Sequence, residues 1–447
     1  MSVSTLYIPE IATVAAVEEA FYNFFNSHDC ADEIVVDFTN VWFIEPSTST
    51  SYIIAILYTW KEKGGKFKII PPYNNGVKII LYSWRFFEVL EEMSLVPISE
   101  FAPQIKKDFE KGIDVRLNST INKVLRYYQD TDTSEIQSFF KKKYLGQDSI
   151  YFLTTYEKFF PLLSLNFDTD DSKQQEFINE KKRWRNAQLI NRILNNNFSN
   201  IEIKDEISED VISETISNAI IHSTANKFFT GSFFSFSEKS DQNDKAHFTI
   251  NFWDNGKSII DTLGLPLKAN QPIKSEKSVE YFMAKTHNHN QIEFLIKRDK
   301  GFYVEEKFST SSELSSDLSE EEILLAAFFP GVSRLPNRAP DLFNSFPAGI
   351  GLSYLTNTVI NKLNGEISIR TKNYFLNMRS LSNYDKDQYI KTYRTVGTTK
   401  PKRKDVFNNG SIYYSAKFTV FNNKMPDFVG NMITIRIPLK YRNEETI

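Results

Sequence analysis

Three polar residues, Glu214, Asn218 and His222, are spaced four apart in the segment 'SEDVISETISNAIIHS', residues 208–223. Such spacing in a helix puts them along one face, and the isoleucines of the segment fall largely on the opposite face. A polar stripe of this kind lines either solvent or a site, and a solvent-facing stripe is the commoner outcome. The segments that follow in the chain favour a site.

A second candidate lies in 'HFTINFWDNGKSIID', residues 247–261, which predicts a strand over 247–253 that ends at Asp254. An aspartate at a strand end is well placed to accept a hydrogen bond from an exocyclic amine. Gly256 allows the backbone to come close to a flat ring. The alternative is an ordinary turn, because Asp-Asn-Gly is a common turn sequence.

The third candidate is the glycine pair Gly349 and Gly351 in 'NSFPAGIGLSYL', residues 344–355. The dinucleotide-binding pattern would need a third glycine where the chain has Tyr354. A P-loop ending at 'GKS', residues 256–258, would need a glycine where the chain has Asn251. Both of these nucleotide-binding motifs are therefore excluded. The next segment, 'YLTNTVINKLNGEISIRTKN', predicts a helix that stops at 364–365 and turns into a strand.

In order and spacing, these three segments resemble the GHKL ATPase superfamily, which includes gyrase, histidine kinases, mismatch-repair ATPases and the anti-sigma-factor kinases. The match spans about residues 185 to 440. The family's Glu-x-x-x-Asn, Asp-x-Gly and Gly-x-Gly-Leu motifs correspond to Glu214 and Asn218, Asp254 and Gly256, and Gly349, Gly351 and Leu352. The form 'SNAIIHS' is close to that of the anti-sigma-factor kinases.

The resemblance implies ATP and Mg²⁺ as cofactors and a role for each motif. Asn218 would coordinate Mg²⁺ at the phosphates, since this hard cation takes oxygen ligands. Glu214 would be the catalytic residue that orients or deprotonates the attacking water. Asp254 would bind the adenine amine and Gly256 would admit the ring. Backbone N–H groups of residues 349–352, including Leu352, would hold phosphate oxygens at a helix N-terminus.

The sequence departs from the family at several places. Ser258 replaces the second glycine of the Asp-Gly motif, which we expect to stiffen that loop. Asn431 stands where the family often has threonine, and no adenine contact is assigned to it. His222 is expected to be structural or close to the phosphates. His287 and His289 are expected to lie in a loop rather than to bind metal, because no carboxylate pair accompanies them.

The N-terminal region must supply a separate α/β unit. 'EIVVDFTNVWFI', residues 33–44, predicts a strand, a turn and a second strand; a helix starting among the following Ser and Thr residues and the strand 'GGKFKIIPP' come next. Residues 1 to about 100 resemble the STAS domain of anti-sigma-factor antagonists, and the residues that carry the resemblance are 35–57. The family's phosphorylatable turn is replaced here by Glu45, Pro46, Ser47 and Thr48; Ser47 and Thr48 could accept a phosphate, but helix caps are the simpler interpretation.

These segments predict an α/β protein with three parts: a STAS-like α/β domain at 1–103, a connector of amphipathic helices at 104–184, and a Bergerat-type two-layer α/β sandwich at 185–447. Within the last part, Ser319 and Glu322 have the spacing of a capping box ahead of a short helix, preceded by a serine-rich acidic loop. The basic stretch 398–405 is interpreted as a solvated hairpin loop.

Bulk properties narrow the classes of function. The 447 residues are 41% hydrophobic and 24% charged, as in folded globular proteins, and the formal net charge of −3 disfavours nonspecific binding to nucleic acid. A single cysteine, Cys30, excludes an intramolecular disulfide or a cysteine metal cage. The sequence shows neither a secretory leader nor a long apolar run, so we expect a cytoplasmic protein without a membrane segment.

Three functions follow from the resemblance as expectations. The first is an ATP-binding regulatory protein in which Mg-ATP orders a lid over residues 300–350 and changes contacts with the STAS-like domain or a partner, with slow ATP hydrolysis. The second is a serine/threonine protein kinase of anti-sigma type acting on a STAS protein. The third is an ATP-gated nucleic-acid clamp, which the charge disfavours. A signalling protein is the expected partner, and a homodimer is allowed.

Overall fold

The computed structural model describes the following residues of the chain: 3–27, 33–45, 48–74, 77, 81, 86–95, 159–166, 201–202, 211, 215, 225, 227–235, 246–263, 280–288, 291–299, 319–328, 351–381, 411–421 and 426–441. They combine helices with parallel and antiparallel strands, which confirms the predicted α/β class. None of the helices in these ranges is long and apolar enough to cross a membrane.

The N-terminal unit is built on a small parallel sheet whose strands are β1 (Val3–Tyr7), β3 (Glu33–Asp37) and β5 (Lys66–Ile70), in that order across the sheet. Two-residue strands β2 (Ile11–Ala12) and β4 (Phe43–Ile44) pair beside it. The helices are α1 (Val14–Ser27), α2 (Thr48–Glu62) and α3 (Phe86–Glu92). The predicted strand, turn, strand and helix over 33–62 are confirmed, as is the strand after the glycine turn.

Helix α2 is buried from Thr48 to Thr59, because it lies between the parallel sheet and the large sheet described below. Within the helix, the buried Thr59 Oγ1 donates a hydrogen bond to the Ala55 carbonyl at 2.9 Å. Thr48 is only 2% exposed, so a kinase cannot reach its hydroxyl in this conformation. Ser47 lies outside the described residues.

The large sheet has ten strands, and all of its pairings are antiparallel. Its strands are β6 (Phe159–Asn166), β7 (Ile201–Glu202), β8 (Lys227–Ser235), β9 (Ala246–Asp254), β10 (Glu280–Asn288), β11 (Gln291–Asp299), β12 (Glu366–Lys372), β13 (Tyr374–Ser380), β14 (Ser411–Val420) and β15 (Phe428–Tyr441). The order across the sheet is β10-β11-β14-β13-β12-β15-β9-β8-β6, with β7 paired to β15. The long strand β15 therefore joins β9 to β12 at the centre.

Helices cover one face of this sheet. They are α4 (Ile259–Leu263), α5 (Glu320–Ala326), α6 (Gly351–Thr356) and a π-helical segment, Asn357–Lys362, that continues α6. Their apolar side chains share a core with those of the sheet, including Ile250 and Ile435, each of which is fully buried. This arrangement is a helix-on-sheet layer with an almost wholly aliphatic and phenylalanine core.

The N-terminal unit covers the opposite face. Phe229, Trp253, Phe428 and Met432 of the sheet belong to the same buried cluster as α1 and α2. The Trp253 ring stacks on Phe229 at 4.8 Å between centroids. A sheet that is buried on both faces therefore joins the two units through one continuous layer of apolar side chains.

The predicted helical connector is wrong at residues 159–166. 'FFPLLSLN' forms β6, the edge strand that pairs with β8, so the large sheet draws on residues before 185. The register shifts between Phe160 and Leu163, around Pro161. Proline lacks an N–H donor and is tolerated at such an edge irregularity. The apolar run was the signal for a strand, and the polar composition around it concealed that signal.

Two helix predictions in the C-terminal part are confirmed. The helix after the glycine pair runs from Gly351 to Lys362 and ends as predicted, with Asn364 at φ 54° and the Gly365 N–H donating to the Val359 carbonyl at 2.7 Å. Helix α5 begins directly after Ser319, whose carbonyl accepts the Ile323 N–H at 2.9 Å. The acidic loop before Ser319 and the basic stretch 398–405 lie outside the described residues.

Candidate functional site

Asp254 ends the central strand β9, as predicted, and is 5% exposed. Its neighbours across the sheet are Phe228 on β8 and Asn431 on β15. Its Oδ1 accepts the N–H of Gly256 at 2.9 Å, so the carboxylate turns the chain back at the strand end. A buried acceptor is thereby fixed at the point where the sheet meets the following turn.

Asn431 faces that carboxylate directly. Its Nδ2 lies 3.3 Å from each oxygen of Asp254 and donates to the Lys257 carbonyl at 3.0 Å. Its Oδ1 accepts the N–H of Ile259 at 2.8 Å and the hydroxyl of Thr371 at 2.9 Å. Asn431 and Thr371 are 4% and 0% exposed. We refer to Asp254, Asn431 and Thr371 as the Asp254 corner.

Gly430 brings β15 close enough to form this corner. Its φ of +78° is unfavourable for other residues, and a Cβ added there would lie 1.7 Å from the carbonyl oxygen of Asp254. The backbones of β15 and β9 are therefore in direct contact beside the carboxylate. A glycine is required at 430 for both its conformation and its size.

Ser258, which replaces a glycine of the GHKL pattern, caps helix α4. Its Oγ accepts the N–H of Asp261 at 2.9 Å and its carbonyl accepts the N–H of Thr262. At 4% exposure the side chain is enclosed by the turn it stabilises. The expected stiffening of this loop therefore has a structural basis in an N-cap.

The structure places the other predicted residues only in part. Gly351 begins helix α6. Leu352 packs against the core on the helix-covered face of the sheet, and its carbonyl accepts a hydrogen bond from the Thr356 hydroxyl at 2.8 Å. Glu214, Asn218, His222 and Gly349 lie outside the described residues. The structure therefore describes the second of the three predicted motifs and only the start of the third.

Val211 and Thr215 belong to the same segment as Glu214 and Asn218 and are both buried, at 0% and 1% exposure. The Thr215 hydroxyl donates to the Val211 carbonyl at 2.7 Å, one helical turn away. Val211 is part of the core on the helix-covered face of the sheet. Val211 is therefore packed on the same face of the sheet as α4, α5 and α6.

A charged cluster adjoins the corner on β12. Lys372 Nζ lies 2.5 Å from Asp261 Oδ1 and 3.1 Å from Glu320 Oε1, tying β12 to α4 and α5. Burial lowers the pKa of Lys372, but its hydrogen bonds to these two carboxylates outweigh that effect, so the net shift of the pKa is upward. Two carboxylates thus hold the Lys372 ammonium one residue from Thr371.

The N-terminal unit touches the turn after Asp254. Asn255 Nδ2 donates to the hydroxyl of Tyr58 on α2 at 3.1 Å, and Asn255 Oδ1 accepts the N–H of Lys227 at 2.9 Å. The Tyr58 ring packs edge-on against Trp253, with 5.1 Å between centroids. Burial raises the pKa of Tyr58, although the bond from Asn255 opposes this shift.

A second contact holds α2 to β15. The N–H of Val429 donates to Thr59 Oγ1 at 3.0 Å, and the Val429 carbonyl accepts Trp253 Nε1–H at 3.2 Å. Val429 directly precedes Gly430 in the chain. Helix α2 therefore contacts β9 and β15, two of the three strands that form the Asp254 corner.

Arg370 forms a buried ionic contact between the units. It is 2% exposed, its Nε lies 3.5 Å from Glu18 Oε1, and its guanidinium lies 4.2 Å from the ring centroid of Phe421. Tyr52 donates to the same Glu18 oxygen at 2.8 Å. Burial raises the pKa of Glu18, while the charge of Arg370 and the bond from Tyr52 oppose the shift.

The described residues contain no group of three or more His, Cys, Asp or Glu side chains that could hold a metal ion. The predicted Mg²⁺ ligand, Asn218, is not among them. His287 lies in strand β10 at a register shift, so the predicted loop is wrong for this residue, and His289 lies outside the described residues.

Comparison of the chain with protein-family models, curated proteins and solved structures finds no match. The GHKL and STAS resemblances therefore stand on the residues alone. Asn431, Thr371 and Tyr58 carry no assignment from the sequence. The sequence offered one indication that position 431 is unusual, namely asparagine where the GHKL family often has threonine. It did not show which residues Asn431 contacts.

Proposed function

We propose that this chain is an ATP-binding regulatory protein of the GHKL type, with a STAS-like N-terminal domain and a Bergerat-type C-terminal domain. Mg-ATP would order a lid within residues 300–350 and change the contacts of the STAS-like domain or of a protein partner, with slow ATP hydrolysis. The observation that carries the proposal is Asp254, a buried carboxylate fixed at the end of a central strand.

The adenine half of the site fits this proposal. A carboxylate offers only acceptors, and adenine presents a 6-amino donor. Asp254 is held by Gly256 N–H and by Asn431, so its orientation does not depend on a ligand. Gly256 has no side chain to obstruct a ring that approaches the turn. Preorganised polar groups of this kind in a largely apolar setting are typical of small-molecule sites.

The phosphate half is assigned by motif. Asn218 would hold Mg²⁺, which neutralises phosphate charge when bound, and Glu214 would position the attacking water. Helix α6 starts at Gly351, as a phosphate-binding N-terminus formed by residues 349–352 requires. The helix continues through the π-helical segment to Lys362, so it is long enough to have a substantial dipole.

The regulatory role is supported by the position of the N-terminal unit. Tyr58 and Thr59 of α2 contact the turn after Asp254 and the strand residue before Gly430. A ligand that moves this turn must therefore change, or be opposed by, contacts of α2. Coupling between two sites requires such a differential contact in the bound and free states.

The kinase alternative gains no support from the described residues. Thr48 is enclosed at 2% exposure, so phosphorylation of this hydroxyl within the same chain would require α2 to leave its position. Nothing in the described residues favours a nucleic-acid clamp.

The proposal is tested by calorimetric binding of Mg-ATP to the full chain and by phosphate release from the same preparation. We expect binding, slow turnover, and a loss of turnover of about 100-fold in Glu214→Ala. Glu209→Ala, in the same segment but off the polar stripe, is the matched control. Binding without turnover in any variant would restrict the protein to a nucleotide-held switch, and no binding of Mg-ATP would overturn the proposal.

A further inference from the structure

Lys372 has a backbone conformation that lysine rarely adopts. It is the last residue of β12 and, with Asn373, forms the two-residue turn between Thr371 and Tyr374, which pair across the hairpin. Its φ is 44°, in the left-handed region that favours glycine. Hairpin turns whose first residue has a positive φ usually place glycine there. A lysine persists in such a conformation only where its surroundings hold it.

The backbone of this turn is held from the face of the sheet that the N-terminal unit covers. The Arg370 guanidinium donates through Nη1 to the carbonyls of Lys372 and Tyr374, the second at 3.2 Å. Arg370 is itself enclosed, at 2% exposure, with Glu18 Oε1 of α1 3.5 Å from its Nε. Because an arginine donates in a rigid planar arrangement, these bonds determine the path of the turn.

The side chain of Lys372 contacts the helices on the opposite face. The register between β12 and β15 shifts between Thr371 and Lys372, and such irregularities redirect a side chain. The ammonium lies 2.5 Å from Asp261 Oδ1 of α4 and 3.1 Å from Glu320 Oε1 of α5. Its side chain is 22% exposed, against 50% and 45% for those of the two acids. One partly enclosed cation therefore joins the two helices.

Tyr374 adds a second contact between the turn and α5. Burial raises the pKa of the Tyr374 hydroxyl, and the charges of Glu321 and Glu320, with which the hydroxyl forms hydrogen bonds, raise it further. Glu320 and Glu321 are the first two residues of α5. The residues on both sides of Asn373 therefore contact the start of this helix.

Helix α4 connects these contacts to the turn after Asp254. Ser258 caps the helix by accepting the Asp261 N–H at 2.9 Å, and the Ile259 N–H donates to Asn431 Oδ1 at 2.8 Å. A helix of only five residues has few internal hydrogen bonds, so its position depends on contacts at both ends. A shift of α5 relative to the turn after Asp254 would therefore separate the Lys372 ammonium from one of its two carboxylates.

We propose that Lys372 is a positioning residue that couples α5 to the turn after Asp254, so that a nucleotide bound at this turn stabilises α5. This proposal rests on the function proposed above and assigns its regulation to a residue outside the three GHKL motifs. Glycine would suit the backbone at this position better, but it has no ammonium group to donate to two carboxylates. The coupling requires that this contact differ between the bound and free states.

The test measures hydrogen exchange of the α5 amides in the full chain, with and without Mg-ATP at a concentration that calorimetry shows to be saturating for each variant. In the wild-type chain we expect Mg-ATP to slow exchange about ten-fold. In Lys372→Met, which keeps the aliphatic chain and removes the charge, the slowing should fall below about two-fold. Lys372→Arg keeps the cation and should retain most of the slowing.

Lys372→Gly distinguishes this role from a purely structural one. Glycine suits the positive φ, so this variant should unfold at a higher temperature than Lys372→Met. It should nevertheless lose the response of α5 to Mg-ATP to the same extent as Lys372→Met. If Lys372 served only the turn, the response would survive in Lys372→Gly.

Glu320→Gln provides a milder variant that leaves the turn unchanged. It weakens the bond from Lys372, so we expect the slowing by Mg-ATP to fall about three-fold. The double variant with Lys372→Met should lose no more than Lys372→Met alone, because both changes remove the same contact. Additive losses would contradict a coupling through this ion pair.

Lys417→Met is the matched control. Lys417 lies on β14, which does not pair with β12, and its 48% exposed side chain is 4.0 Å from Glu293 Oε1. This variant should retain the wild-type response. The inference alone is overturned if folded Lys372→Met and Lys372→Gly respond like the wild type, or if a wild-type chain that binds Mg-ATP shows no slowing at α5. A wild-type chain that does not bind Mg-ATP would overturn the proposed function and this coupling with it.

Discussion

Asp37 and Asp254 occupy equivalent places in two sheets. Each ends a strand that has neighbours on both sides, β3 between β1 and β5 and β9 between β8 and β15. Each carboxylate accepts the N–H two residues ahead, from Thr39 at 2.7 Å and from Gly256 at 2.9 Å. The same local motif, a strand closed by an aspartate turn, is therefore used twice.

The surroundings of the two aspartates differ. Asp37 lies between Tyr7 and Ile70, which are 63% and 38% exposed, whereas Asp254 is enclosed and faces the amide of Asn431. The Asp37 carboxylate stabilises its own turn, whereas the Asp254 carboxylate is oriented in addition by Asn431, from a distant part of the chain. A local motif thus becomes a candidate recognition group only through its tertiary neighbours.

The largest effect is expected at Gly430, where the absence of a side chain allows β15 to approach Asp254 closely. Gly430→Ala combines a positive φ with a Cβ 1.7 Å from the carbonyl oxygen of Asp254. We expect the free energy of unfolding to fall by about 4 kcal/mol, measured by urea denaturation. Gly64→Ala, at φ +84° with no atom within 4 Å of the added Cβ, should cost only about 1 kcal/mol from backbone strain. Equal losses would mean that the close approach at Asp254 is not important for stability.

The next effect separates the two carboxylates by function. Asp254→Asn can turn its new amide N–H toward the ligand, so we expect Mg-ATP to bind about 100-fold more weakly in calorimetry. Asp37→Asn keeps an acceptor for the Thr39 N–H and should leave ATP affinity unchanged. Similar affinities for the two variants would contradict a special role for Asp254.

The smallest effect concerns the tyrosines beside the turns that follow Asp254 and Asp37. Tyr58→Phe removes the hydroxyl that accepts from Asn255 Nδ2, which should weaken ATP binding by about five-fold and lower stability by about 1 kcal/mol. Tyr73→Phe, near the Asp37 turn and 77% exposed, should change neither quantity. If ATP affinity stays constant in a folded Tyr58→Phe, α2 does not report on the nucleotide through this bond.

Several elements were predictable because their signals are local. β3 is rich in β-branched residues, β9 alternates in character, and both end in an aspartate; α2 begins with a run of hydroxyl residues, and the helix from Gly351 stops at Asn364-Gly365. Asp254 and Gly256 were predicted at their observed strand end and turn. These assignments needed no knowledge of which strands are neighbours.

The rest depends on pairing across long stretches of chain. Asn431 meets Asp254 only because β15 pairs with β9 in one register, 177 residues apart. Strand β6 was missed because its short apolar run lies in polar sequence. The contact of Arg370 with Glu18 required knowing that the N-terminal unit covers one face of the large sheet.

The layer of apolar side chains between the two units also limits which parts of the chain can be expressed separately. Residues 185–447 expressed alone would expose Phe229, Trp253, Phe428 and the guanidinium of Arg370, whose buried carboxylate partner lies in the missing part. The two units are therefore not interchangeable modules, and a graft of either onto another protein would have to carry a matching face with it.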